Sequence, residues 1–232
     1  MLGSKMSKKV VTCLMLCFSL LLTGCAQTTD QQNNVQQENA QQKNAEQQNK
    51  VQLDDNAWVS LPQPADLGYT LTASQLLSVS YQDQAHQQQS QQLPIQLQVS
   101  QDKVVLAGFS SWGTRLLSLS YHDQQFDTYV MTGLSDQLPK PEQVLFNMMI
   151  TLWPIEVWQT RLAPLGWQLT ETQTSTGKTR VLLNSDQKTV AEIHYANIEP
   201  LKGDITFINH VLNFTIVIKT LQYQAALLDH HS

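Results

Sequence analysis

The chain has 232 residues, 41% of them hydrophobic, a formal charge of -5, and no run of basic residues beyond residue 9. That balance argues against nucleic acid or an anionic lipid surface as an electrostatic partner. All three cysteines lie at positions 13, 17 and 25, so nothing downstream can form a disulfide, a thiolate metal site or a cysteine nucleophile.

Residues 1–24 read as a signal peptide. Lys5, Lys8 and Lys9 precede an apolar run from Val10 to Leu22. That run falls short of the ~20 residues a spanning helix needs and fits a signal h-region. It ends in Leu22-Thr23-Gly24-Cys25, a lipobox. The pattern predicts cleavage before Cys25, a thioether-linked diacylglycerol on its sulfur and an acyl chain on the freed amine. Several acyl chains hold a protein stably on a bilayer, where one does not. Removing the three lysines takes the formal charge from -5 to about -8. Ala26, where an Asp would mark retention at the inner membrane, points to the periplasmic face of the outer membrane.

Residues 25–56 comprise this cysteine and a segment about half Gln or Asn. A near-repeat of five (Gln31 to Val35, Gln36 to Ala40, Gln41 to Ala45) matches neither helix nor strand period. Such a segment buries too little apolar surface to offset chain entropy and reads as a disordered tether spanning roughly 30 Å. A weak helix over 40–52 and a Gln/Asn-rich assembly segment are the alternatives.

Composition changes at Ala57, beyond which all five tryptophans lie. Residues 57–224 are long enough for one domain with a real core, leaving 225–232 as a tail. Alternating segments at Leu76–Tyr81, Pro94–Val99, Val104–Phe109, Arg115–Tyr121 and Phe126–Thr132 predict an antiparallel meander. Pro141 and Glu142 suit a first helical turn, with Val144, Leu145, Met148, Met149 and Leu152 at helical spacing behind them. Trp153-Pro154 ends that helix, and a second runs from Ile155 to Leu162. Strands resume at 167–174, 179–184, 189–195, 204–209 and 213–221. The fold class is therefore mainly β (α+β), with a central helical insert between two meanders.

Chemistry-bearing motifs are sparse. His86, His122, His194, His210, His230 and His231 show no helical metal spacing, so no metal ligands are assigned. Gly108-Phe109-Ser110-Ser111-Trp112-Gly113 has a serine near the place of a nucleophile elbow. It lacks the second glycine and the following helix, and reads as a turn. A hydrolase built on Ser110 or Ser111 is a remote alternative. No catalytic residue is assigned, and the chain is expected not to be an enzyme.

A sheet with one concave face, partly roofed by helices, can leave an apolar cavity. Candidate lining residues are Leu106, Phe109, Leu117, Leu119, Tyr121, Phe207, Phe214 and Ile216, with Met148, Met149, Trp153 and Trp158 as a lid. Methionine adapts to irregular apolar shapes. The alternative is that these side chains fill a closed core.

Three segments carry a family resemblance: Leu152-Trp153-Pro154-Ile155-Glu156-Val157-Trp158, then Gly166-Trp167-Gln168-Leu169, and the ending Ile205 to Asn209 with Phe214 to Leu221. Over roughly residues 70 to 221 the chain resembles a small lipoprotein family of unknown function (a DUF family). That family is itself similar to the LolA/LolB type of lipoprotein carrier. Members often occur beside fatty-acid-synthase-like clusters making aryl-polyene-type lipids. Phe214 stands where the family tends to have Tyr. The resemblance implies an incomplete antiparallel β-barrel with helices over its mouth, binding acyl chains. It implies no cofactor beyond the lipid on Cys25 and no catalytic residue. The expected partners are the membrane through the anchor, an acylated ligand, or an envelope protein for which the chain is an adaptor.

Overall fold

The computed structural model describes residues 50–82, 86–134 and 140–228. Cys25, the signal segment, most of the tether, and His230 and His231 lie outside the described residues. The described part holds twelve strands, two α-helices and three short 3-10 turns.

A small hairpin comes first: β1 (Lys50–Gln52) pairs antiparallel with β2 (Trp58–Ser60). Asp54 closes it, its Oδ1 accepting from the backbone N–H groups of Asn56 and Ala57. Among the described residues the packed body thus includes Lys50–Gln52, ahead of Ala57, and these three residues are strand and not helix. The physical reason is Val51, an isolated apolar residue among polar ones, which is fully buried beneath the hairpin.

The first meander is β3 (Tyr69–Gln82), β4 (Gln88–Val99), β5 (Lys103–Phe109), β6 (Arg115–His122) and β7 (Gln125–Val130). Helices α1 (Pro141–Leu152) and α2 (Ile155–Leu162) follow. Pro154, with its fixed φ, separates them and leads into α2. The second meander is β8 (Gln168–Gln173), β9 (Lys178–Leu183), β10 (Thr189–Tyr195), β11 (Ile205–Asn209) and β12 (Phe214–Leu227). The two meanders merge into one ten-stranded sheet, ordered β7-β6-β5-β4-β3-β12-β11-β10-β9-β8. Every neighbour is antiparallel, and β7 and β8 are unjoined edges. The sheet is thus an incomplete barrel, as the resemblance implied.

β12 outruns its expected end at Leu221 and pairs with β3 as far as Leu227↔Tyr69. Residues 225–227 are therefore strand and not tail. The register shifts by one residue at a bulge between Thr220 and Gln222, which leaves Leu221 outside the paired ladder. Pro94 lies inside β4, one residue beyond the last β4 residue paired to β5, Ile95. The missing N–H of proline breaks no ladder there.

One continuous core fills the concave side. Leu71 and Ala73 of β3, Leu97 and Val99 of β4, Leu106, Leu119 and Tyr121 on one wing, and Ile193, Ile205 and Phe207 on the other all point into it. α1 packs against β1 and β11, and α2 against β2 and β8. The helices are thereby wedged between sheet and hairpin. Phe146 meets Trp158 edge-to-face at 5.3 Å, locking α1 to α2.

Candidate functional site

The helical cover is fixed by a polar clasp at the C-terminal end of α1. The last carbonyls of a helix lack intrahelical partners. Here Arg180 of β9, only 3% exposed, donates through Nη1 to the carbonyls of Ile150 (2.7 Å) and Trp153 (2.9 Å). Its Nε donates to Glu171 Oε2 of β8 at 2.7 Å, where Lys178 Nζ also binds at 3.1 Å. Tyr195 of β10 donates its hydroxyl to the carbonyl of Thr151 at 2.8 Å. Both cations lie over its ring, Lys178 Nζ at 4.9 Å and Arg180 Cζ at 5.6 Å. Burial pushes the Glu171 carboxyl up, but bonds and charge from Arg180 and Lys178 outweigh it and hold it below its ordinary value. Burial pushes the Tyr195 hydroxyl well above the usual phenol range.

The opposite flank is clasped by the segment before β3. Tyr121 donates to the Leu61 carbonyl at 3.1 Å, and burial raises its hydroxyl to about 12. Trp153 Nε1 donates to the Gln63 carbonyl at 3.0 Å. Asp66 accepts from the Gln63 N–H and pairs with Arg161 of α2 at 3.1 Å. The cover is pinned on both sides and does not have the build of a loose lid.

This arrangement sorts the twelve expected lining residues. Leu106, Leu117, Leu119, Tyr121, Met148, Met149, Trp153, Trp158 and Phe207 are buried and belong to the one core cluster. Phe109, Phe214 and Ile216 are only partly buried. Phe214 and Ile216 belong to a partly exposed apolar stretch of the sheet.

Along β3 the inward residues Leu71, Ala73 and Gln75 are buried, whereas the next three on that face, Leu77, Val79 and Tyr81, are partly exposed. Register places Val79 opposite Ile216 and Tyr81 opposite Phe214 on β12, and Leu77 opposite Leu93 on β4. Leu77, Val79, Leu93, Phe214 and Ile216 form an apolar trough at this end of the concave face. Phe214 stacks on buried Phe207 at 5.9 Å, which joins the trough floor to the core. Gly108 of β5 borders it: a Cβ there would stand 3.1 Å from both Leu93 and Leu117. The trough's far end turns polar, where Gln91 Nε2 donates to the Tyr81 hydroxyl at 3.2 Å. Buried Gln75 marks its inner end, donating to Thr220 Oγ1 at 3.1 Å.

Leu77, Val79, Tyr81 and Leu93 escaped the sequence reading as site residues, although the alternation of Leu77, Val79 and Tyr81 was visible. The charged clasp escaped it too, because charges in a strand ordinarily mean a solvated face.

The Ser110 hydroxyl accepts from the N–H groups of Trp112 and Thr114, which makes it a cap for the β5–β6 turn. Glu192 lies 3.1 Å from both His194 Nε2 and His210 Nε2. Among the described residues no group of three or more His, Cys, Asp or Glu could hold a metal ion. No helix among them is long and apolar enough to cross a membrane.

An open antiparallel sheet with two pinned helices packed against it defines an incomplete-barrel protein. The chain belongs to the family described as "Protein of unknown function (DUF3261)", whose model matches residues 72–222. Those bounds run from Thr72 of β3 to Gln222, at the bulge of β12. No curated protein matches the chain. Among solved structures it is similar to a LolA superfamily protein from Nitrosomonas europaea (8% identity, 72% of this chain, 92% of that one, TM-score 0.34). It is also similar to a putative outer membrane lipoprotein-sorting protein domain from Vibrio parahaemolyticus (10% identity, 83% and 93% covered, TM-score 0.29). A third is MucB of the Pseudomonas aeruginosa MucA/MucB complex (16% identity, 72% and 55% covered, TM-score 0.33).

Proposed function

We propose that this protein is a lipid-anchored envelope protein that binds or hands over an acylated ligand at the trough. It does so by binding, without catalysis. The observation that carries the reading is the trough itself: five apolar side chains on three adjacent strands that are only partly buried while their inward neighbours are fully buried. An apolar floor ending in the Tyr81–Gln91 pair suits an amphiphile, with its chain on the floor and its polar head at the amide and hydroxyl. The lipobox at Cys25 supplies the anchor, and Ala26 the outer-membrane address, on the periplasmic face. The tether then lets the domain reach away from the bilayer.

Mass spectrometry of lipid extracted from the natively purified full chain tests this. Acylated lipid is expected to co-purify in stoichiometric amount. Its amount is expected to fall in the Val79→Gln/Ile216→Gln double variant. A chain consistently free of lipid refutes the reading.

A second reading, an adaptor docking on an envelope protein complex, is favoured by one observation. Beyond Ile218, β12 has no strand pairing on the side away from β3, and Leu221, Tyr223 and Leu227 are exposed there. Crosslinking in cells that traps one dominant protein partner, with no lipid bound, would decide for it.

A further inference from the structure

The inward row of β3 reads Leu71, Ala73, Gln75, Leu77, Val79, Tyr81. Gln75 interrupts this apolar row, yet it is only 2% exposed. A polar group taken out of water needs partners in exchange, so a buried amide is more informative than a buried leucine. The other buried polar side chains have structural work. Arg180 caps α1, Thr151 bonds within its own helix, Asn147 pairs with Gln143 one turn away, and Asn209 holds the β11–β12 turn. A glutamine amide offers two N–H donors and an oxygen with two lone pairs. Here Nε2 donates to Thr220 Oγ1 at 3.1 Å, and Oε1 has no partner among the described residues. That one bond is not needed to align the strands, because backbone pairing of β3 with β12 runs from Phe214↔Tyr81 to Leu227↔Tyr69.

Among the described residues no fully buried side-chain nitrogen or oxygen lacks a hydrogen-bond partner. The Gln75 oxygen has none, so solvent reaches it through a narrow opening. Register shows on which side. Of its neighbours on the concave face, Ala73 and Ile95 are buried, whereas Leu77 and Thr220 are partly exposed. The opening therefore lies beside Leu77, the first apolar residue of the trough, and Thr220. From Gln75 to Tyr81 and their partners on β12 and β4, no concave-face position carries a charged side chain.

We propose that Gln75 is a specificity residue: the trough takes a chain that carries an uncharged hydrogen-bonding group, a hydroxyl or an amide, at the end lying against it. The proposal rests on reading the trough as an acyl-chain site, and names what separates its ligand from an ordinary fatty acyl chain. A hydroxyl or amide there donates to Oε1 and accepts from the second Nε2 proton, which completes the glutamine amide. A methyl end in the same place strips the oxygen of water and returns nothing, the situation of a buried acceptor left unsatisfied. An ionised group there is desolvated with no counter-ion on the surrounding strands. Six residue steps along β3 separate Gln75 from Tyr81, roughly 20 Å of extended strand. A ligand polar at both ends thus spans the apolar floor, one group on Gln75 and the other at the Tyr81–Gln91 pair.

The test is competition against a fluorescent fatty acid on the full chain in nonionic detergent at neutral pH. The competitors are hexadecanoic acid, its ω-hydroxy derivative and hexadecanedioic acid. All share one carboxylate, which stays in water at the exposed Gln91 end, and they differ only at the end offered to Gln75. The hydroxy acid is expected to bind about ten-fold tighter than the plain acid, with the diacid weakest. Gln75→Leu is expected to remove that preference while the plain acid still binds. Equal affinity of the plain and hydroxy acids for the parent chain overturns the proposal without any variant. A preference that survives Gln75→Leu overturns it too, as does a diacid that binds as tightly as the hydroxy acid. In each of these cases chains still bind, so the trough stands and only the role of Gln75 falls. A fluorescent fatty acid that does not bind at all sinks the trough, and this proposal with it.

Discussion

Arg180→Met is the sharpest probe of how the helical cover is held. The substitution keeps an unbranched side chain of similar reach but removes every donor. Three hydrogen bonds disappear, to Glu171, Ile150 and Trp153. Two of their acceptors are main-chain carbonyls in a dry environment at the end of α1. Leaving a buried acceptor unsatisfied costs about 1–3 kcal/mol, more where the partner is charged. Glu171 keeps Lys178 and is itself 22% exposed, so its share is the smallest and is screened by solvent. The expected loss is about 3–5 kcal/mol, the range found on breaking a buried charge pair. Against a domain stability of about 5–15 kcal/mol this is a large fraction. Urea unfolding followed by tryptophan fluorescence reads it as a drop in midpoint at nearly constant slope. Arg180→Lys keeps the charge but not the fork and should recover only part of the loss. A loss below about 1 kcal/mol for Arg180→Met would refute the reasoning, because the carbonyls would then have other partners.

Three further outcomes follow from the same geometry. Val79→Gln/Ile216→Gln should weaken acyl-chain binding about ten-fold, each change removing apolar contact worth somewhat under 1 kcal/mol, while thermal stability stays near the parent's. Fluorescent fatty-acid titration and a melting curve on the same samples check both halves. The Glu171 carboxyl titrates below its ordinary value in the folded state, so the stability it contributes is present above the unfolded carboxyl's pKa and is lost as pH falls through the folded one. Unfolding midpoints should therefore fall as pH drops below about 5, and Glu171→Gln should flatten that slope. Cys25→Ser should release the protein from the membrane fraction, which fractionation and immunoblotting would show; retention in the membrane would remove the anchor from the proposed function.

The local elements were legible in the sequence because each rests on a short-range signal. Period-two alternation from Leu117 to Tyr121, the Pro141-Glu142 helix start and the Pro154 break depend only on nearby residues, and all appear where expected. Burial was legible as well: Trp153, Trp158 and Phe207 are core, as large apolar residues on inward faces should be. The hairpin at Lys50–Gln52 was not, because three residues in a Gln-rich segment carry no periodicity, and Val51 is buried by residues far from it in the chain, among them those of α1.

What the sequence by itself determined is the open antiparallel class, the helical insert and the family. Which inward residues are covered, and which form a site, was decided by tertiary structure alone. Leu71 and Leu77 lie on the same strand, on the same face, with the same side chain. Leu71 is fully buried and Leu77 only partly, a difference set by what packs over each position and not by the strand that carries both. Alternation specifies a face, but the extent of a cover depends on contacts between residues far apart in the chain, such as Tyr121 and Leu61 or Arg180 and Ile150.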